Sequence, residues 1–172
     1  MIVLAWILAA VVALLVLVFA WGLWRLRKST SQVRDELARL KVADVERLRD
    51  ECIRAFRQAF SEDLDLGDFE ASARLLSRRI DDGSLKTALA KDEFWWYYVL
   101  PAGAVLGELM RVHAQGEWKD TEDGAPEMRI PVGDGEATTY PFDKLFKQVT
   151  SGDKGDLYAF LVASRQLDRV VA

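Results

Sequence analysis

The chain carries one histidine, His113, and one cysteine, Cys52, among its 172 residues, and that scarcity bounds the chemistry its side chains can do. Glu108 stands five positions before His113, and a carboxylate with an imidazole can share a proton as acid and base. Five residues overshoots the i, i+4 spacing that puts two groups on one helical face. No strained G-x-S-x-G turn lies nearby to present a nucleophile. A histidine at a helix end that stabilises the C-terminus is the expected role. Cys52, beside Ile53 and Phe56 on an apolar helical row, reads as a packing residue. A lone cysteine also excludes an intramolecular disulfide.

Metal chemistry finds little to work with. One His and one Cys are too few for an ordinary structural zinc site. "KDTEDGAPE" gathers Asp120, Glu122, Asp123 and Glu127, but it lacks the alternating oxygen ligands, central glycine and terminal glutamate of a calcium loop. It reads as a solvated hairpin. "SGDKGDL" lacks the spacing and the preceding strand of a phosphate loop. The expectation is a protein without metal, cofactor or catalytic residues. The alternative is a membrane-surface enzyme using Glu108 and His113.

The elements that must position these residues begin with "MIVLAWILAAVVALLVLVFAWGLW", residues 1–24, which hold no charged side chain. About 20 apolar residues span a hydrocarbon core of about 30 Å. Trp6, Trp21 and Trp24 are interfacial anchors. A cleaved signal peptide would want a basic start and a shorter apolar core, so an uncleaved transmembrane helix is expected. "RLRK" follows the run, and positive charge on that flank places the C-terminal part in the cytoplasm of a bacterial inner membrane, in single-pass topology.

Residues 25–60 hold ten basic and six acidic side chains, a net of +4; residues 61–172 hold thirteen and twenty-one, a net of −8. A basic juxtamembrane segment is drawn to anionic lipid, and an acidic distal domain is repelled by nucleic acid. After a polar hinge at "KSTSQ", an amphipathic helix is predicted to residue 60. Its stripe runs Val45, Leu48, Cys52, Ala55 and Ala59, widened by Phe56 and Phe60. Upstream, Val33, Leu37 and Leu40 form a second stripe that slips at the five-residue step to Val45. Too few heptads stay in phase for a coiled coil. Docking on the distal domain is therefore preferred to a dimerising stalk, with dimerisation left open.

"DEFWWYYVLPAGAVLGELMR" has fourteen uncharged residues between Glu93 and Glu108. At 1.5 Å each they reach only about 21 Å, too short for a second membrane span of about 30 Å, in whose middle Pro101 would also cost a hydrogen bond. A buried central helix is predicted, capped by Asp92, with Gly103 and Gly107 letting a neighbour approach. Ahead of it, Asp68 caps a helix over "FEASARLLSRRI", and Ser84 caps "LKTALAK". Beyond His113, Asp-Gly pairs flank "PEMRIPV", and a three-stranded antiparallel meander is predicted at 117–121, 127–132 and 136–140. Pro126 and Pro131 must lie at strand ends or on an edge. Helices return in "PFDKLFKQVTSG" and "DLYAFLVASRQLDRVV". The fold class is α+β.

Residues 98–160 resemble a group of small bacterial α+β domains of unknown function. The matching pieces are Gly107-Glu108, "GEW" (116–118), "DGAP" (123–126) and "YPF" (140–142). The resemblance implies no catalytic residue, and it invites an immunity-protein reading in which a small acidic protein sequesters a toxin. Together these features predict a membrane-tethered acidic domain that binds a protein with a basic surface, as an immunity-type factor or a subunit of a membrane-associated assembly. The alternatives are a structural dimeric stalk or the enzyme above. Successive residues turn by about 100°, so five consecutive aromatics cannot all face inward. The expected contact residues are Trp95, Trp96, Tyr97, Tyr98, Trp118, Asp120, Glu122 and Asp123.

Overall fold

A computed structural model describes the backbone of residues 2–90, 95–122, 124–151 and 157–166. It divides into two compact units, residues 1–35 and 36–172. The first unit lies within helix α1 (Ile2–Arg39). The expected hinge at 28–32 is instead helical. Lys, Ser, Thr and Gln each cost less than about 0.7 kcal/mol in a helix, and no Gly or Pro interrupts them. Among the described residues no helix is long and apolar enough to cross a membrane. Within the uncharged run the described side chains are those of Val12, Leu14–Gly22 and Trp24; the rest of the expected anchor's side chains lie outside the described residues.

The second unit is α+β. The slipped stripe corresponds to a break, since α1 ends at Arg39 and α2 (Val42–Ala55) begins after an extended Lys41. The single helix expected to residue 60 is therefore two. Val45, Leu48 and Cys52 face inward as the period requires. A π-turn over Phe56–Phe60 follows, buries Phe56 and stops at Ser61, whose φ of 54° ends the helical run. Ala59 is exposed, because the wider turn carries it off the inward face. A connector leads to α3 (Phe69–Asp81), where Asp68 accepts from the Ala71 amide at 3.1 Å as an N-cap.

Gly83, at φ 73°, separates α3 from α4 (Ser84–Leu89). Ser84 does not cap it as expected. Instead the Asp82 carboxylate accepts from the Ser84 amide at 2.7 Å.

A 3₁₀ turn (Trp95–Tyr98) leads into α5 (Val99–His113), which is buried from Val99 through Met110. A helix apolar on every face belongs in the middle of a core. α5 packs against α2 and α6 (Pro141–Ser151), with α3, α7 (Leu157–Gln166) and the sheet completing its surroundings. Pro101 is the third residue of α5, in the first turn, where the missing N–H has no intrahelical acceptor to lose. The capping position predicted at Asp92 lies outside the described residues.

Strands β1 (Glu117–Lys119), β2 (Glu127–Val132) and β3 (Gly135–Thr139) form an antiparallel meander in that order. Trp118, Met128 and Ile130 point inward. Val132 pairs with Gly135, so the β2–β3 turn is Gly133-Asp134 rather than Asp134-Gly135. Gly133 at φ 57° fits a two-residue turn with left-handed backbone at its first position. The register settles Pro131. It pairs opposite Glu136, next to the closing Val132–Gly135 pair, so its nitrogen faces the β1 side, where pairing has already stopped at Glu117–Arg129. No ladder bond is lost.

Candidate functional site

Glu108 is the most constrained ionisable side chain near the predicted sites. α5 places it at the edge of the core, and it is only 4% exposed. One carboxylate oxygen accepts from the Trp118 indole at 2.8 Å, and Arg111 donates to both oxygens at 3.0 and 3.1 Å. Arg49 on α2 reaches it at 3.5 Å. Burial pushes the carboxyl's pKa up, but the hydrogen bonds from Arg111 and Trp118 and the charges of Arg111 and Arg49 outweigh it, holding the group below the usual range. Glu108 is thus an ionised hub joining α2, α5 and β1.

His113 is elsewhere. Its Nε2 bonds the Leu66 carbonyl at 2.7 Å, and its ring meets Phe69 edge-on at 5.1 Å. It therefore ties the end of α5 to the connector before α3. Glu108 and His113 have separate hydrogen-bond partners. Cys52 is fully buried, which pushes its thiol pKa up and keeps it protonated. Among the described residues no group of three His, Cys, Asp or Glu side chains is placed to hold a metal.

Each of the two α5 glycines receives an aromatic ring, and at Gly103 the backbone of α6 closes in as well, with Phe142 Cα 3.2 Å from where a Cβ would stand. A Cβ on Gly107 would lie 2.0 Å from Trp118 Cζ2, and one on Gly103 would lie 2.6 Å from Phe142 Cδ1. The two rings pack at a centroid distance of 5.6 Å. Gly107-Glu108, "GEW" and "YPF", spread over the sequence as short motifs, thus converge on one cluster. Trp118 is buried in the core, and its indole N–H donates to Glu108.

The other expected contact residues divide. Tyr98 is buried, which raises its hydroxyl pKa to about 12, and it offers no surface to a partner. Tyr97 is half-buried, with its hydroxyl 3.4 Å from Glu51. The side chains of Trp95 and Trp96 and all of Asp123 lie outside the described residues, and Glu122 is exposed.

Asp120 has a structural role. Its Oδ1 accepts from the Val42 amide at 2.8 Å, while Lys41 Nζ reaches the Thr121 carbonyl at 3.4 Å. The β1–β2 loop thereby caps the start of α2, a site that favours negative charge. Asp120→Ala should lower stability by about 1 kcal/mol, the usual cost of a lost cap, and Asp120→Asn should recover most of it. Thermal unfolding of the full chain in detergent checks this; equal midpoints for all three proteins would refute the capping role.

Next to Glu51, whose carboxylate accepts from the Tyr97 hydroxyl, lies a groove of about 250 Å³. Its floor is Ala55, Ala59 and Leu89, and its rim is Glu51, Arg54 and Gln58. Sequence reasoning passed over it by assigning Ala55 and Ala59 to the buried stripe. The available signal was that two small residues one turn apart leave room for an incoming side chain.

No family model, curated protein or solved structure matches the chain.

Proposed function

We propose that the chain is a single-pass membrane protein whose acidic α+β domain, held at the cytoplasmic face, binds another protein, as an immunity-type factor or a subunit of a membrane-associated assembly. The observation that carries the membrane part is the exposure of α1. Leu14, Leu15, Val16, Leu17, Val18 and Phe19 are each 60–70% exposed. Six successive residues at about 100° apiece cover the whole circumference of a helix. A protein partner docked on one side would leave half of that apolar surface in water, whereas a bilayer covers all of it. The uncharged run from residue 2 to residue 24 supplies about 34 Å of helix, enough for a hydrocarbon core of about 30 Å.

Binding is favoured over catalysis because Glu108 and His113 are each committed to structural bonds. It is favoured over a dimeric stalk because Val45, Leu48, Cys52 and Phe56, the seam such a stalk would use, are buried inside the domain. The groove next to Glu51 is the contact surface this reading prefers, together with the acidic exterior, which suits a basic partner and salt-sensitive association.

Three measurements test the proposal. A C-terminal reporter should be active only in the cytoplasm, and the chain should resist alkaline extraction from membranes. A photo-crosslinker at Gln58, on the groove rim, should give a discrete adduct in intact cells, and one at Thr138, on the sheet's solvent face, should not. Periplasmic reporter activity would overturn the topology, and equal adducts at both positions would overturn the site.

A further inference from the structure

We propose that the groove floored by Ala55, Ala59 and Leu89 receives the C-terminal end of a partner polypeptide, with an apolar last side chain on the floor and the terminal carboxylate on Arg54. The inference rests on the reading of this groove as the contact surface and adds the chemistry of the segment it takes.

Arg54 singles the groove out. Among the described residues of the second unit it is the one Lys or Arg with no hydrogen bond, ion pair or ring contact. An unpaired cation is the exception in a chain with 27 acidic and 23 basic residues. Two carboxylates stand within one turn of it, Asp50 at i−4 and Glu51 at i−3, close enough on a helix to pair. Asp50 instead meets Arg49 at 2.8 Å, and Glu51 accepts from the Tyr97 hydroxyl at 3.4 Å. The exposed Arg54 guanidinium therefore keeps its whole fork of donors, the shape that matches a carboxylate, for a group from outside the domain.

Size and charge narrow that group. At about 250 Å³ the groove is smaller than the roughly 300–1,000 Å³ of small-molecule pockets, so it suits one or two side chains. Alanine and leucine side chains on the floor offer no hydrogen bond, and the body that lies there must be apolar. Gln58, exposed on the same rim, has an amide that can donate beside Arg54. Glu51, one turn earlier on the rim, repels a carboxylate and so directs it to the Gln58 side. A C-terminal residue carries its carboxylate and its side chain on one Cα, and it alone meets both the cation and the adjoining floor. An internal Asp or Glu would need its neighbour for the apolar contact, and neighbours in an extended chain point to opposite sides. An N-terminal ammonium would meet Arg54 as a like charge. Capture of a terminal carboxylate is a recurring mode of peptide recognition.

A library of short random peptides with free carboxyl termini, selected on the full chain in detergent, tests this, with the affinities of the selected peptides read by fluorescence anisotropy. Those peptides should end in Leu, Ile, Val or Met. Amidating their termini should weaken binding about tenfold, and Arg54→Gln should do the same, as expected for one charge-assisted pair. Ala59→Leu, at an exposed position, should fill the floor and abolish binding. Arg57→Gln, which removes a nearby cation already paired with Asp63, should leave affinity within about twofold. Arg54 has no contact to lose, so Arg54→Gln should unfold at the same temperature as the unaltered chain; amidation, which leaves the protein untouched, decides the matter if it does not. A selection that yields no peptide, affinity indifferent to amidation, or an equal loss from Arg57→Gln would overturn the proposal. The crosslinker at Gln58 separates it from the broader reading: no adduct in cells refutes the groove and the terminus together, whereas an adduct alongside peptides indifferent to amidation refutes the terminus alone.

Discussion

Gly107→Ala should destabilise the domain by about 3 kcal/mol or more, against the usual gain of about 1 kcal/mol when alanine replaces glycine inside a helix. The added methyl would lie 2.0 Å from Trp118 Cζ2 and 2.2 Å from Cη2. The indole cannot simply swing aside. Its Nε1 is held by Glu108 at 2.8 Å and its other flank by Phe142. Either the ring leaves and a buried hydrogen bond goes with it, or α5 moves off β1. Gly103→Ala, whose methyl would meet Phe142 Cδ1 at 2.6 Å, should cost less, because the Phe142 ring carries no polar bond to lose.

Thermal unfolding of the full chain in detergent, followed by the near-ultraviolet signal of the aromatic residues, gives the comparison. Pairing Gly107→Ala with Trp118→Phe provides a check on mechanism. The smaller ring vacates the space the methyl needs, so the double variant should be more stable than the two separate losses added together. Simple additivity, or an unchanged midpoint for Gly107→Ala, would mean that Trp118 is not what makes glycine necessary there.

The same cluster shows what was legible in the sequence. Local features came through: Asp68 as a cap, the alternation that sets Met128 and Ile130 inward, the uncharged helix around Gly103, and the slipped stripe, whose break between Leu40 and Val45 is where α2 starts afresh. Each is written within a few residues, in a period or a turn. What stayed hidden joins distant positions. Trp118 reaches Glu108 across the corner between α5 and β1, and Asp120 caps Val42 from 78 residues away. No periodicity marks such pairs, and an acidic loop that caps a remote helix has the same composition as one that merely faces water. The π-turn was hidden for another reason. "FRQAF" continues a helical pattern, and tertiary packing of Phe56, with Arg79 over the Phe60 ring at 4.2 Å, accompanies the wider turn.

Glu108→Ala should cost about 3 kcal/mol, the lower end of the range for breaking a buried ion pair. Arg49 explains why the loss stays at that end, since it keeps Glu46 at 3.1 Å and Asp50 at 2.8 Å. Arg111 is half exposed and can turn to water. The cost concentrates on Trp118, whose indole N–H would remain buried with no acceptor. Glu108→Gln preserves an acceptor for it and loses only the charge, so about 1–2 kcal/mol is expected. The order Ala worse than Gln distinguishes this structural role from a catalytic one, in which both variants would abolish activity while Gln left stability intact.

Acid should reproduce part of the Gln phenotype. Glu108 has a folded pKa below its ordinary value, so the folded state holds its proton more weakly than the unfolded chain does. The stabilisation is complete above the unfolded value of about 4.3 and drains away as pH falls through the lower folded value. Unfolding midpoints of the unaltered chain should therefore hold steady down to about pH 5 and fall below about pH 4. Glu108→Gln, with no proton to gain at this position, should start lower and fall less steeply over the same interval. Parallel pH profiles for the two proteins would show that the carboxylate held by Arg111 and Trp118 contributes nothing to the acid sensitivity of the fold.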